Sequence, residues 1–288
     1  MKWIDIGKRP KKLVFKNLIL DENSQFYKEL INNLDKNFIA NLGHSTFLIQ
    51  IEGLRILTDP FLSPHILGVK RKKPALLPKL VPKPDFIVIS HAHYDHLDLK
   101  TLKQFDKSIP VIIPDKTKAV VKPLGFKEII EVPHFKDFKT RNIEIIALPV
   151  QHNKGRSLLY PNTQTNSYII NVGNTTLYFA GDTGYFDKFK EYGKSFNIDY
   201  AFLPIGGFEP RVLLQKVHMN PEEAVKTFKD LNAKYLVPIH FDTFHTIPKN
   251  LKKERALERL NKKLREEKLT ERAIIVEPNS LKKINITI

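Results

Sequence analysis

The chain places three of its ten histidines within six positions, directly after a short apolar run. The run FIVIS (86–90) is followed by HAHYDH, which contains His91, His93, Asp95 and His96. Imidazole and carboxylate groups are ligands that suit zinc, with iron and manganese as alternatives. Because the chain has no cysteine, neither a thiolate metal site nor a cysteine nucleophile can take part in the chemistry.

Three further apolar runs also end in a potential metal ligand. IIALPVQ is followed by His152, LYFAG by Asp182 and YLVPI by His240. Open α/β sheets place their sites at the carboxyl ends of their strands. A lone histidine there is usually satisfied by ordinary hydrogen bonds, but a buried cluster of histidines and aspartates is costly unless it is hydrogen-bonded or metal-bound. The repetition therefore predicts a centre with two metal ions.

Runs typical of strands alternate with helical patterns along the chain. The predicted strands are 46–51, 55–59, 86–90, 111–114, 143–150, 167–172, 176–181, 200–206 and 235–240. Helices are predicted at about 98–107, 115–123, 185–195, 221–232 and 250–268. The alternation indicates a layered α/β protein with helices outside the sheets. Since no repeat or linker divides the chain, we expect a single domain over residues 1–288.

The composition is that of a globular protein with a strong positive charge. Lys and Arg number 47 against 31 acidic residues, which gives a formal net charge of +16. This charge would attract nucleic acid, an anionic membrane surface or a small phosphate ester, and it does not choose among them. No apolar stretch approaches the ~18 residues of a spanning helix, and the first residues lack a signal-peptide core, so we expect a cytoplasmic location.

The HAHYDH turn resembles the signature of the metallo-β-lactamase superfamily, and other motifs narrow this resemblance. The motifs are NLGHSTFLIQIEGLRILTDPFLS (41–63), LGVKRKKP (67–74), ISHAHYDHLD (89–98), PVQH (149–152), FAGDTGY (179–185), PIGGFEPR (204–211), HMNPEEAV (218–225) and IHFDTF (239–244). Together they resemble the N-acyl-phosphatidylethanolamine-hydrolysing phospholipase D family over about residues 38–250. The resemblance implies a four-layer αββα sandwich. Residues 250–288 are then expected to form a basic amphipathic helix and a terminal strand.

The resemblance also implies a role for each site residue. One metal ion is expected on His91, His93 and His152, and a second on Asp95, His96 and His240, with Asp182 bridging both. Asp95 and Asp182 would thus serve catalysis as ligands. His218 matches a family histidine near the catalytic centre and is the candidate for orienting the phosphate or protonating the leaving group; alternatively, it could be a helix-entry histidine bonded to the backbone. His44 is expected to be structural or to support a ligand.

The implied activity is hydrolysis of a phosphodiester, with a phospholipid as the substrate. Two divalent ions would share a hydroxide that attacks phosphorus. Zinc is the expected metal, and iron or manganese are the alternatives. The alternatives are a nuclease, which the positive charge favours although no aromatic platform is evident, and a lactone or ester hydrolase. A phospholipid substrate would fit peripheral contact with an anionic membrane through the basic segments 8–20 and 70–83, which could equally be strands or crossovers with solvated lysines. The oligomeric state stays open.

Overall fold

Two mixed β-sheets form the centre of the molecule. The structure is a computed structural model that describes residues 18–244 and 256–285. The first sheet contains, in spatial order, β10 (Ile129–Val132), β9 (Val111–Pro114), β8 (Phe86–Val88), β4 (Leu54–Thr58), β3 (Thr46–Ile51), β2 (Phe38–Gly43) and β17 (Ser280–Lys283). The second contains β11 (Asp137–Lys139), β12 (Ile143–Pro149), β13 (Asn166–Val172), β14 (Thr175–Phe179), β15 (Tyr200–Pro204) and β16 (Tyr235–Ile239).

Short strand pairs and helices surround these sheets. A parallel pair joins β1 (Ile19–Leu20) to β7 (Ala75–Leu76), and a hairpin joins β5 (His65–Ile66) to β6 (Val69–Lys70). The helices are α1 (Gln25–Ile31), α2 (Leu99–Leu102), α3 (Lys118–Val121), α4 (Lys188–Ser195), α5 (Arg211–Leu214), α6 (Pro221–Asp230) and α7 (Ala256–Glu266). No helix within the two described stretches has the length and hydropathy needed to cross a bilayer.

Three hydrophobic clusters separate four layers of structure. The central cluster lies between the sheets, where the rings of Phe47 and Phe202 are 5.7 Å apart. A second cluster covers the outer face of the first sheet with residues such as Leu30 of α1, and a third covers the second sheet with residues such as Phe228 of α6 and Leu260 of α7. Each sheet is therefore apolar on both faces, which explains why its strands appear as continuous apolar runs. The predicted αββα sandwich is confirmed.

Helix α6 shows how the sequence fixes an element next to the site. The side chain of Asn220 accepts a hydrogen bond from the backbone N–H of Glu223, and the Glu223 carboxylate accepts one from the backbone N–H of Asn220. Pro221 occupies the first turn, where its missing N–H costs nothing. This capping box starts the helix at the predicted position and holds the end of the segment that carries His218.

Two sequence-based expectations need correction. The apolar residues of segment 70–83 do not face outward, because Leu76 and Val81 are buried in the cluster on the first sheet. Only its lysines are exposed. The helices expected at 98–107 and 115–123 are also shorter, since α2 and α3 each have four residues. Most of segment 8–20, and the beginning of the helix expected at 250–268, lie outside the described residues.

Candidate metal centre

Every predicted ligand follows the carboxyl end of a strand. Each of the two sheets supplies some of these ligands. The loop after β8 in the first sheet supplies the four residues of HAHYDH. In the second sheet, His152 follows β12, Asp182 follows β14 and His240 follows β16. The structure brings all seven side chains to one edge of the sandwich. Among the described residues, four groups there have their potential ligand atoms within 4.8 Å of one another: His91, His93 and His152; Asp95, His96, His240 and His44; His91, His96 and Asp59; and His152, Asp182 and His218.

The first group consists of His91, His93 and His152. The Nε2 atom of His152 lies 3.1 Å from the Nδ1 atom of His93. Burial is the main reason why the pKa of His93 and of His152 falls to about 4, and burial also holds the pKa of His91 well below its usual value. Three neutral imidazoles therefore converge, and neutral imidazole is the form that ligates metal.

The second group consists of Asp95, His96 and His240, with Asp182 beside it. The Nε2 atoms of His96 and His240 each lie 3.2 Å from Oδ2 of Asp182 and 3.8 Å from Oδ2 of Asp95. Burial lowers the pKa of His240, but the nearby carboxylates outweigh it and raise that pKa to about 9. The carboxylates thus favour positive charge between these four side chains, and a divalent cation would supply it.

Unsatisfied buried atoms show that these residues fit metal. Several buried atoms of the described residues have no hydrogen-bond partner, and four of them belong to predicted ligands: Nε2 of His91, Nε2 of His96, Nε2 of His240 and Oδ1 of Asp182. An unsatisfied buried polar atom costs about 1–3 kcal/mol. Because all four atoms belong to predicted ligands, metal coordination accounts for what would otherwise be several uncompensated losses.

Three of the ligand rings, those of His91, His96 and His152, are hydrogen-bonded through the nitrogen that faces away from the other ligands. His96 donates from Nδ1 to Oδ2 of Asp59 across 2.6 Å, and His152 contacts the backbone oxygen of Val217 from Nδ1 across 2.8 Å. The Ser90 hydroxyl donates to Asp59 and lies 2.9 Å from Nδ1 of His91. These bonds place the ring protons of His91, His96 and His152 on the outer side and leave the Nε2 lone pairs of these three rings for metal.

Asp59 and Ser90 were not predicted as site residues. Asp59 ends the run RILTD, so it carries the same signal that pointed to the other ligands: a carboxylate after an apolar run. Its side chain is fully buried and contacts the ring of His96, one of the predicted ligands. A polar residue at a strand end therefore indicated where the site lies. It did not indicate whether that residue is a predicted ligand or contacts one.

His218 lies beside the ligands. Its Nδ1 atom is 3.7 Å from Oδ2 of Asp182 and has no hydrogen-bond partner among the described residues. The ring is 5.1 Å from that of His152, and the side chain is 16% exposed. The backbone N–H donates to Leu214, while the imidazole faces the ligands. His134, in contrast, contacts the backbone oxygen of Thr165.

Comparisons with known proteins give the family. The model of the beta-lactamase superfamily domain matches residues 54–241. The mitochondrial N-acyl-phosphatidylethanolamine-hydrolyzing phospholipase D of Saccharomyces cerevisiae is 36% identical over 222 residues, which are 70% of this chain and 47% of the yeast protein. A UPF0173 metal-dependent hydrolase of Exiguobacterium is 31% identical over 73% of this chain and 88% of its own length.

Two further comparisons concern length and fold. An uncharacterized protein of Mycobacterium tuberculosis is 33% identical over 73% of this chain and 60% of its own length. The chain therefore spans about half to two thirds of such relatives. The structure of a metallo hydrolase from Ignicoccus hospitalis superposes with a TM-score of 0.65 at 23% identity, covering 88% of this chain and all of that one, which shows a shared fold. The chain therefore belongs to the metallo-β-lactamase superfamily.

Proposed function

We propose that the chain hydrolyses a phosphodiester bond of a phospholipid. The reaction would use two divalent metal ions, and zinc is the first candidate. The observation that carries the proposal is the pair of ligand groups around Asp182, with their unsatisfied buried atoms. Similar proteins from yeast and Caenorhabditis elegans are named as phospholipases D that hydrolyse N-acyl-phosphatidylethanolamine, and they support the substrate class. Iron and manganese can use the same ligand types.

The chain's residues would divide the work as follows. His91, His93 and His152 would hold one ion, Asp95, His96 and His240 the other, and Asp182 would contact both. Two ions bound here would lower the pKa of a water molecule and stabilise charge on the phosphate oxygens.

His218 would act on the substrate directly. Its Nδ1 atom has no hydrogen-bond partner among the described residues and lies 3.7 Å from Oδ2 of Asp182, close enough to the ligands to orient a phosphate oxygen or to give a proton to the leaving alkoxide. Asp95 and Asp182 would stay ligands throughout.

An apolar and basic rim supports a lipid as the substrate. We define the rim as segments 64–73, 153–163 and 211–218, none of which contains an acidic residue. The second segment follows His152, the third ends at His218, and the first is tied to the segment after His240 by a hydrogen bond from Lys72 to Thr243. Leu67, Leu158, Leu159, Val212 and Leu213 in these segments are all at least 75% exposed.

The rim has the chemistry of a surface that contacts anionic lipid. Exposed leucine and valine side chains could enter the boundary of the acyl chains, while Lys70, Lys72, Lys73, Lys154 and Lys216 lie exposed beside them. We therefore propose peripheral membrane contact through the rim. Its apolar residues take the place of those in segment 70–83, which are buried.

The test compares wild type with Asp182→Asn, and uses Asp187→Asn, an exposed aspartate nearby, as the matched control. Metal content, hydrolysis of bis-(p-nitrophenyl) phosphate and hydrolysis of N-acyl-phosphatidylethanolamine vesicles are measured. We expect about two ions per wild-type chain and lipid cleavage that only Asp182→Asn abolishes. Activity confined to the generic diester would reject the phospholipid, and a wild-type chain without metal would reject the mechanism.

Two other substrates belong in the same panel. The net charge of +16 favours RNA as a second candidate, so single-stranded RNA is included. A lactone and a p-nitrophenyl ester test carbonyl substrates. Preferential cleavage of RNA would make the chain a nuclease, and preferential cleavage of the lactone or ester would make it a carboxylic hydrolase.

Vesicle binding tests the rim separately from catalysis. Wild type and the double variant Leu158→Ser/Leu159→Ser are sedimented with anionic and with neutral vesicles at low salt. We expect wild type to prefer anionic vesicles and the variant to lose most of that binding. Equal binding of wild type to both vesicles, or an unchanged variant, would contradict membrane contact through the rim.

A further inference from the structure

We infer that His44 is a positioning residue that controls metal affinity at one of the two positions, the one formed by Asp95, His96 and His240. The inference rests on the proposed two-ion centre. His44 is buried at the end of β2, in the first sheet, and it contacts ligands from both sheets.

The imidazole of His44 fixes two of the three ligands. Its Nε2 atom donates to Oδ2 of Asp95 across 3.2 Å, and its ring centroid lies 3.9 Å from that of His240. The Nε2 atoms of His96 and His240 lie farther from the same carboxylate oxygen, at 3.8 Å. Asp95 is 29% exposed, whereas Asp182 is only 3% exposed. The orientation of Asp95 therefore depends on His44 more than on burial.

The backbone of His44 is held in a conformation that the sequence alone disfavours. Its φ is 61°, in the left-handed region, which non-glycine residues adopt only where the surrounding structure holds them there. The backbone N–H donates to the hydroxyl of Thr243 at 2.5 Å, and the backbone oxygen accepts from the N–H of His240 at 3.0 Å. The strain is thus maintained by bonds to the very segment that supplies a ligand. A functional constraint on the imidazole explains why this residue is not glycine.

The first group of ligands has its own supports. His91 is held by Ser90, and His152 by the backbone oxygen of Val217. Among the contacts of described residues, His44 reaches Asp95, His96 and His240 but none of the first group. Loss of His44 should consequently weaken one metal position and leave the other.

The experiment measures metal binding without activity. Metal-free protein is titrated with Zn²⁺ against a competing chelator, and bound zinc is counted by mass spectrometry. His44→Asn removes the imidazole while keeping a residue that tolerates the left-handed backbone. We expect two binding steps in wild type and, in His44→Asn, one step whose affinity falls 10–100-fold while the affinity of the other step is unchanged. His134→Ala, a histidine away from the centre, should behave as wild type.

His44→Gln tests the hydrogen bond itself. Its amide N–H can extend toward the Asp95 carboxylate, so we expect it to recover part of the lost affinity. Unchanged affinities in His44→Asn, equal weakening of both steps, or no recovery in His44→Gln would each overturn the positioning role. Wild type with fewer than two zinc ions would overturn the two-ion proposal and this inference together. Two ions without phospholipid cleavage would reject the substrate alone and leave the role of His44 standing.

Discussion

The Nδ1 atom of His96 lies 2.6 Å from Oδ2 of Asp59, and both side chains are fully buried. The same aspartate accepts hydrogen bonds from the hydroxyl and the backbone N–H of Ser90, at 2.6 Å and 2.7 Å. Ser90 in turn contacts His91. One carboxylate therefore orients a histidine of each ligand group. It bonds to His96 directly and reaches His91 through Ser90.

Asp59→Asn should weaken both metal positions. The amide keeps the size of the side chain but loses the charge that holds the His96 ring, and changes of this kind typically cost 10–100-fold in metal affinity. Zinc titration against a chelator gives the affinity of each step. Both steps should weaken, unlike the single step affected by His44→Asn, and Asp187→Asn serves as the exposed control. Two unchanged steps would show that the Asp59 carboxylate does not orient the ligands.

His218→Ala should retain both metal ions and lose turnover. The imidazole lies 3.7 Å from Asp182 but is not one of the seven predicted ligands, so its removal spares the metal. A group that transfers or orients a proton typically contributes 10²–10⁴-fold. We expect a fall in kcat of at least ~10²-fold on a generic diester, measured with metal content in the same preparation. Wild-type turnover in the variant would remove His218 from the chemistry.

Arg71→Met should destabilise the fold. The Arg71 guanidinium is buried and donates to the backbone oxygens of Phe61, Leu42 and Lys73. The variant would leave these oxygens without that donor, and each unsatisfied buried group costs about 1–3 kcal/mol.

Urea denaturation measures this loss. We expect the free energy of unfolding to fall by about 2 kcal/mol or more in Arg71→Met. Lys72→Met is the control, since it breaks only an exposed ion pair with Asp242, and such pairs contribute about 0–1 kcal/mol. Equal stability of Arg71→Met and wild type would mean that other groups satisfy the three oxygens.

Removal of metal should lower the melting temperature. A ligand present at a thousand times its Kd stabilises the native state by about 4 kcal/mol, and for a domain of this size each 1 kcal/mol corresponds to roughly 2–4 °C. Calorimetry with EDTA should therefore show a fall of roughly 10 °C that added zinc reverses. Asp182→Asn should respond less to EDTA. A melting temperature that EDTA does not change would argue against metal in the purified protein.

The sequence located most strands because both faces of each sheet are buried. Strand β16, for example, spans Tyr235–Ile239 where the run YLVPIH predicts one. Strands β10 and β11 were missed because they lie at sheet edges and carry half-exposed or charged side chains, so no continuous apolar run marks them. Helix α5 was missed because four residues are too few to show a helical period.

The sequence predicted where the site lies, but it did not predict which residues support the ligands. The seven predicted ligands follow apolar runs, and the structure places them together. Asp59 follows such a run as well, but its backbone has a φ of 32° and its carboxylate lies behind His96. That difference depends on how two strands from distant parts of the chain are placed, which no local pattern records.

The division of the ligands between two sheets has a consequence for folding. His91 and His93 belong to one sheet and His152 to the other, so a complete site exists only after the sheets have docked. Metal uptake at the complete site would then follow docking, and bound metal would hold together two sheets that are already in place. In refolding experiments, the rate of zinc incorporation should thus report when the two halves of the sandwich come together.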